Sequence, residues 1–264
     1  MEATQGVAQV GKGRLITFRV ISVIAGLLTF LSAAFAVQGY MSAKDKIHIV
    51  HNDTQAWVLL AMIAVPMFVG LKSPVSAVAP FRVFVAACLA MIAAGIIGGD
   101  LLESGFLIMP VIAAVLLALH PARTRVWKCV KGSVAILLLG VIGLVPAFIF
   151  ALHQGDMQRN VMPGMEEHAK FHHFTGMAFV ALAMALGVMA AAFPGTKQRL
   201  AIWIAGVPAV LVGATDLAYN GYVGSLNPMW AWATIIWGVL VILVGEMTVR
   251  RAASSAAPTS EVSS

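Results

Sequence analysis

Histidines and carboxylates, the side chains best suited to metal or proton chemistry, gather in two short stretches of this chain. The first, DKIHIVHNDTQ, covers residues 45–55, and the second, EEHAKFHHFTG, covers residues 166–176. Histidines three or four residues apart share one face of a helix, and two such imidazoles can bind one metal ion. The spacing therefore predicts a metal site whose ligands are His48, His51, Asp53, His168, His172 and His173.

Three carboxylates are candidates for a catalytic role beside these histidines. Glu167 precedes His168, and Asp100 and Asp216 lie at the ends of apolar segments. A buried acid near a bilayer is costly unless it is paired or functional. We therefore expect these carboxylates to act as ligands, partners of the ligands or proton carriers. For the two aspartates, hydrogen bonding to a helix end is the alternative.

The ligand types leave the identity of the cofactor open. Imidazole and carboxylate suit zinc, iron, manganese or copper(II), while the thioethers of Met157, Met162 and Met165 suit copper(I) if they point inward. Haem is a further alternative, because histidines from two facing helices can serve as its axial ligands. For haem, His51 and His172 are the predicted pair.

The composition indicates that the elements which position these residues are helices in a lipid bilayer. Of the 264 residues, 60% are apolar and 11% are charged, and the mean hydropathy is +0.92. A water-soluble domain is typically about half apolar and a quarter charged. Apolar runs that match a bilayer core of ~30 Å predict an all-α, polytopic integral membrane helix bundle with about eight transmembrane helices. These runs cover residues 20–40, 54–71, 83–99, 104–119, 132–152, 174–193, 200–218 and 226–245.

The basic residues indicate how this bundle is oriented. If the chain starts in the cytoplasm, thirteen of the 17 Lys and Arg residues fall on the cytoplasmic side. The positive-inside rule then predicts a multi-pass cell-membrane protein with both termini cytoplasmic. The net charge of +6 reflects this topology, and nucleic acid is not an expected partner. Six of the seven histidines fall on the opposite, outer face.

The string Glu167-His168-x-x-x-His172-His173 resembles one histidine box of the membrane di-iron hydroxylases and desaturases. Those families carry several such boxes on the cytoplasmic side of the membrane. This chain has one box, on the predicted outer face, and too few other histidines to form the rest. The resemblance covers one short motif and assigns no family.

Similar sequence recurs in the two halves of the chain. The Asp-Leu pair at residue 100 recurs at residue 216, and HNDTQAWVLLAM from His51 aligns with HHFTGMAFVALAM from His172. This recurrence predicts two parallel four-helix halves, residues 1–125 and 126–252, related by an axis along the membrane normal. Residues 253–264 are small and polar, which predicts a disordered tail.

These features predict an integral membrane metalloprotein with a histidine and carboxylate site at its outer face, acting as a metal-dependent enzyme or oxidoreductase. Two alternatives stay open. The same groups suit a cation or proton-coupled transporter, and titrating histidines suit a membrane subunit of a larger complex or a homo-oligomer. Cys88 and Cys129 lie in or beside different spans and predict neither a disulfide nor a thiolate metal site.

Overall fold

The computed structural model describes residues 11–42, 48–128, 131–222 and 224–255, and in these ranges the chain forms helices and no strand. This confirms the all-α fold class. Cys129 and most of the predicted tail lie outside the described residues. The α-helices are α1 (Lys12–Ser42), α2 (Ile49–Val58), α3 (Val65–Lys72), α4 (Val78–Gly98), α5 (Ile108–Leu119), α6 (Arg123–Trp127), α7 (Val134–Arg159), α8 (Glu166–Lys170), α9 (His173–Ala191), α10 (Gln198–Ala218) and α11 (Pro228–Ser255). A π-helical segment, Leu59–Ala64, joins α2 to α3, and a 3-10 turn, Pro74–Ala77, precedes α4.

Seven helical segments of the described chain are long and apolar enough to cross a membrane. They are α1, the continuous segment from α2 to α3, α4 with its 3-10 turn, α7, α9, α10 and α11. The predicted span at 104–119 contains α5, whose 12 residues cover about 18 Å at ~1.5 Å per residue. Helix α5 is thus a shorter apolar helix, which packs on α1 and α4.

Helix α9 lies at the centre of the bundle. It packs on α4 and α7. In its most apolar stretch of 18 residues, 83% of the residues are buried, compared with 17% in the equivalent stretches of α7 and α11. The outer helices carry many exposed aliphatic side chains, as expected of surfaces that face lipid. Between α10 and α11, a Cβ on Gly238 would lie 2.8 Å from the carbonyl oxygen of Gly206, so the close packing there requires glycine.

One end of the bundle, called the basic end below, is held together by a buried arginine at the start of α4. Arg82 is 8% exposed, and its guanidinium donates hydrogen bonds of 2.6 to 3.5 Å to five backbone carbonyls. These carbonyls belong to Arg125, Val126, Lys128, Phe193 and Pro194. Bonds from an ionised donor are stronger than neutral ones. Arg82 therefore ties the chain around α6 to the connection between α9 and α10.

The two predicted halves meet along the helices that carry the histidines. Helix α2 packs on α9, while α4 packs on α9 and α10 packs on α2. A parallel duplication would produce this arrangement, in which α4 of the first half packs on α9 of the second and α10 of the second packs on α2 of the first. Helices α2 and α9 hold equivalent places in the predicted halves. The duplication, the boundaries at 125 and 252, and the cytoplasmic termini stay predictions.

Candidate metal centre

Four imidazole rings meet where the starts of α2 and α9 approach each other. His48 and His51 come from the start of α2, His168 from α8 and His173 from the start of α9. The ring centroids lie 4.6 Å apart for His48 and His168, 4.7 Å for His48 and His173, 5.0 Å for His51 and His168, 5.2 Å for His51 and His173, and 5.8 Å for His168 and His173. These four rings are called the histidine cluster, and they define the histidine end of the bundle.

The turn between α8 and α9 decides which histidines enter the cluster. Helix α8 ends at Lys170, and His172 adopts a left-handed backbone conformation, with a φ of 56°, before α9 begins at His173. The predicted helical face shared by His168 and His172 is therefore wrong, because the helix does not continue through both residues. As a result His173, and not His172, stands beside His168.

The cluster is buried and has unused ligating capacity. His51 is 0% exposed, and neither of its ring nitrogens has a hydrogen-bond partner among the described residues. The same holds for Nδ1 of His48, although that side chain is 23% exposed. Buried polar atoms in native proteins are nearly always hydrogen-bonded. Unpaired imidazole nitrogens at the centre of such a group therefore favour a ligand-binding role.

Two residues that the sequence did not point to form walls of the cluster. The ring of Phe174 stacks on His168 with centroids 5.8 Å apart and meets His51 edge-on at 6.2 Å. Gly224, with a φ of 83°, lies in the connection after α10, and a Cβ there would be 2.8 Å from Nε2 and 2.9 Å from Nδ1 of His51. Only glycine permits this approach. Its role depends on a long-range contact, which no local sequence pattern reveals.

The other predicted ligand, His172, belongs to a separate hydrogen-bonded unit. Its Nδ1 lies 2.6 Å from Oδ2 of Asp100, which also accepts a hydrogen bond of 2.8 Å from the hydroxyl of Thr175. Asp100 follows α4, whose end is capped by Gly99 in a left-handed conformation. The unit fastens the end of α4 to the start of α9. It thereby holds the turn that places His173 in the cluster.

The remaining described acids of the two stretches lie outside the histidine cluster. Oε2 of Glu167 lies 4.0 Å from Nε2 of His48, and its side chain is 76% exposed, so Glu167 sits at the rim. Asp53 is buried on α2, yet no described contact joins it to the four rings. Glu166 is exposed, and hydrogen bonds from its own backbone N–H and that of Gly164 lower its pKa.

Asp216 lies apart from the cluster, near the end of α10. It is 0% exposed, and its Oδ1 accepts a hydrogen bond of 3.1 Å from the backbone N–H of Leu226. Its Oδ2 has no hydrogen-bond partner in the described part of the chain. Since Leu226 and Gly224 belong to one connection, that connection contacts both Asp216 and His51.

The four rings are close enough to share a metal ion, but their nitrogens do not have the arrangement of bound ligands. Among the described residues, no group of three or more His, Cys, Asp or Glu side chains has the arrangement of a formed metal site. The ring planes explain this, since His173 stacks on His48 at 27° and on His51 at 23°. Stacked rings do not direct their nitrogens to a common point. Imidazole rings rotate readily, whereas bringing four histidines together requires the fold.

Comparison with known proteins identifies no relative: no protein family matches the chain, and no curated protein or solved structure shows significant similarity to it. The function must therefore be argued from the site itself.

Proposed function

We propose that the protein is an integral membrane metalloprotein that binds one transition-metal ion in the histidine cluster. The ligands are His48, His51, His168 and His173. The observation that carries this proposal is the set of ring separations, 4.6 to 5.8 Å. Four imidazoles around a tetrahedral ion, with metal to nitrogen distances of ~2.0–2.1 Å, have ring centroids roughly 5 Å apart. The rings are thus already spaced for a shared ion.

Binding requires the rings to rotate and leaves the backbone in place. Torsion about the bond between Cβ and the imidazole is broad and soft. Rotation would unstack His173 from His48 and His51 and turn one nitrogen of each ring inward. The unpaired nitrogens of His51 would then gain the partner that the described protein atoms do not supply.

The ligand set favours holding an ion over hydrolysing a substrate at it. Four protein ligands complete a tetrahedral shell, whereas catalytic zinc sites keep one position open. Imidazole binds zinc, copper(II) and iron, so the ligands alone do not select among them. Haem fits less well, because rings within 5.8 Å of each other leave no room for a macrocycle between them. The predicted haem pair is also separated, with His172 engaged by Asp100.

Glu167 and the unit formed by His172 and Asp100 support the site without ligating the ion. Glu167 at the rim places a negative charge beside His48, which favours the approach of a cation. Asp100 orients the ring of His172 and fixes the turn before α9. This assigns Glu167 to attraction of the ion and Asp100 to positioning of the turn.

Metal analysis of the purified protein tests this proposal. We expect inductively coupled plasma mass spectrometry to find about one zinc, copper or iron ion per chain. Combining His51→Ala with His168→Ala should lower the content at least about tenfold, because two of four ligands are lost. His153→Ala is the matched control, since His153 is an exposed histidine on α7 outside the cluster. Wild-type protein without bound metal after zinc addition, or equal loss in the control, would contradict the proposal.

A further inference from the structure

A second site lies between α7, α9, α10 and α11. It is a cavity of about 520 Å³, within the range of ~300–1,000 Å³ that is usual for small-molecule sites. Its walls are mainly aliphatic and aromatic, and they include Phe150, Val180, Met184, Trp230 and Trp237. No metal or proton chemistry in the histidine cluster uses this space.

The cavity opens on the side of the bundle that faces lipid. Ile142 and Ile149 line it from α7, and these apolar side chains are 62% and 64% exposed. In a membrane-spanning helix such exposed aliphatic residues contact acyl chains. A molecule dissolved in the bilayer can therefore enter sideways between α7 and α11.

One polar group in the cavity lacks a partner. Asp216 lines the cavity, is 0% exposed and uses only Oδ1, which accepts the N–H of Leu226. Its Oδ2 has no hydrogen-bond partner in the described residues. Leaving a buried acceptor without a donor is unfavourable, because the desolvation of the acceptor is not compensated. A ligand that brings a donor to Oδ2 would recover this free energy.

We propose that the cavity binds a membrane-dissolved molecule with an apolar tail and an uncharged, hydroxyl-bearing head group. The hydroxyl donates a hydrogen bond to Oδ2 of Asp216, and the tail lies along the aromatic and aliphatic walls. A bulk phospholipid does not meet this requirement, because neither its acyl chains nor its phosphodiester group carries a hydrogen-bond donor. The site is independent of the metal proposal, since Asp216 is no ligand of the cluster.

The test uses tritiated 4-decylphenol as the probe, in a scintillation proximity assay on detergent-purified full-length protein. Competition is measured with unlabelled 4-decylphenol and with 4-decylanisole, its methyl ether, which has the same tail and no donor. We expect the ether to compete about tenfold less well or worse, since the bond to the carboxyl group is lost. Equal competition by the two compounds would overturn the proposal and leave a cavity that takes any alkyl chain.

Two variants test whether the binding of 4-decylphenol depends on Asp216. Asp216→Asn keeps an oxygen for the N–H of Leu226 and places an amide donor in the cavity, so phenol binding should weaken about tenfold. Asp156→Asn is the control, because Asp156 is an exposed acid on α7 that does not line the cavity. Unchanged binding by Asp216→Asn would also overturn the proposal.

Ala147→Leu provides a second test that does not alter a polar group. Ala147 lines the cavity from α7, and the larger side chain should reduce binding of both the phenol and the ether. Retained binding of both would place the probe elsewhere. Zinc content and gel-filtration behaviour of this variant report on the cluster and the fold separately, so failure of the cavity proposal cannot be mistaken for failure of the metal proposal.

Discussion

The basic end and the histidine end both bury polar side chains, but these side chains differ in how fully they are hydrogen-bonded. At the basic end, Arg82 is surrounded by backbone carbonyls of two connections and donates to them with nearly every N–H group. At the histidine end, His51 is fully buried and neither ring nitrogen has a hydrogen-bond partner among the described residues. The first group is saturated by the chain, and the second is not.

This difference separates a structural role from a binding role. A buried polar group that is fully hydrogen-bonded holds its neighbours in place, and its loss leaves several acceptors unpaired. A buried group without partners adds no such bonds to the fold, and it is retained at a cost. Replacing Arg82 should therefore damage the fold, whereas replacing His51 should damage binding.

The largest effect is expected for Arg82→Met. Removing the guanidinium leaves one buried carbonyl, that of Val126, and several partly buried ones without their donor, which costs about 3 kcal/mol or more. Denaturant titration of the purified protein should show this loss. Arg19→Met is the control, because Arg19 is an exposed arginine at the same end with one bond, of 3.4 Å, to the carbonyl of Lys72. Equal stability of the two variants would remove the basis of the comparison.

The next largest effect is a loss of stability at low pH, which we expect from His120 at the basic end. His120 is 1% exposed, and its Nδ1 accepts the N–H of Ala122 at 3.0 Å. Burial, with a smaller contribution from Arg14, lowers the pKa of His120 to about 4. The unfolded chain takes up this proton near pH 6.5. Stability from this group is therefore complete above pH 6.5 and falls as the pH is lowered towards 4, by up to about 3 kcal/mol.

Unfolding at pH 7 and pH 4.5 checks this expectation against His120→Asn. The asparagine oxygen can accept the N–H of Ala122 but does not titrate. Because other histidines also titrate, the informative quantity is the difference between the two proteins. Wild type should lose more stability than the variant between these pH values. The same loss of stability in both proteins would show that protonation of His120 does not destabilise the fold.

A pair of glycine variants tests the walls of the histidine cluster. In Gly224→Ala the new Cβ overlaps the ring of His51, so zinc affinity should fall about tenfold or more. Gly221→Ala is the control in the same connection, because Gly221 also has a positive φ, of 88°, but has no atom within 4 Å of the new Cβ. Zinc titration with a competing chelator measures both. Equal losses would attribute the effect to backbone strain alone.

The smallest effect is expected for Thr175→Val. The change removes the hydrogen bond to Asp100 without changing the size of the side chain, at a cost of about 1 kcal/mol. Thr234→Val is the control, because the Thr234 hydroxyl bonds only to the carbonyl of Trp230 in its own helix. Thermal unfolding resolves the difference. A larger loss for Thr234→Val would contradict the role of Asp100 in fastening α4 to α9.

The sequence predicts the membrane bundle well because long apolar runs have few alternatives in lipid, where backbone groups must bond internally. It fails to establish the length of α5, since an apolar run shorter than the bilayer is compatible with several arrangements. For the site, the apolar run from residue 54 placed the start of this helix too late, because α2 begins at Ile49, with His48 as its N-cap and His51 in its first turn. The spacing of His168 and His172 wrongly predicted a shared helical face, because the helix is interrupted at His172.

That break could not be read from local sequence. The left-handed conformation of His172 is held by Asp100 and Thr175, and Asp100 is 72 residues away in the chain. Gly224 is likewise selected by its contact with His51, which is far away in the sequence. Long-range contacts of this kind are set by how α2, α4 and α9 pack. Residue types therefore indicated at which end of the molecule the histidines gather, and packing selected the members of the cluster.

The central claim is that four histidines share one ion, and X-ray absorption at the zinc edge of the zinc-loaded protein tests it most directly. We predict a first shell of four nitrogens at ~2.0–2.1 Å with the outer-shell scattering of imidazole. This spectrum should be unchanged in His172→Asn, because asparagine can donate to Asp100 and tolerates the left-handed conformation, and should lose imidazole scattering in His173→Ala. A shell dominated by oxygen, or a spectrum that changes in His172→Asn and not in His173→Ala, would contradict the claim.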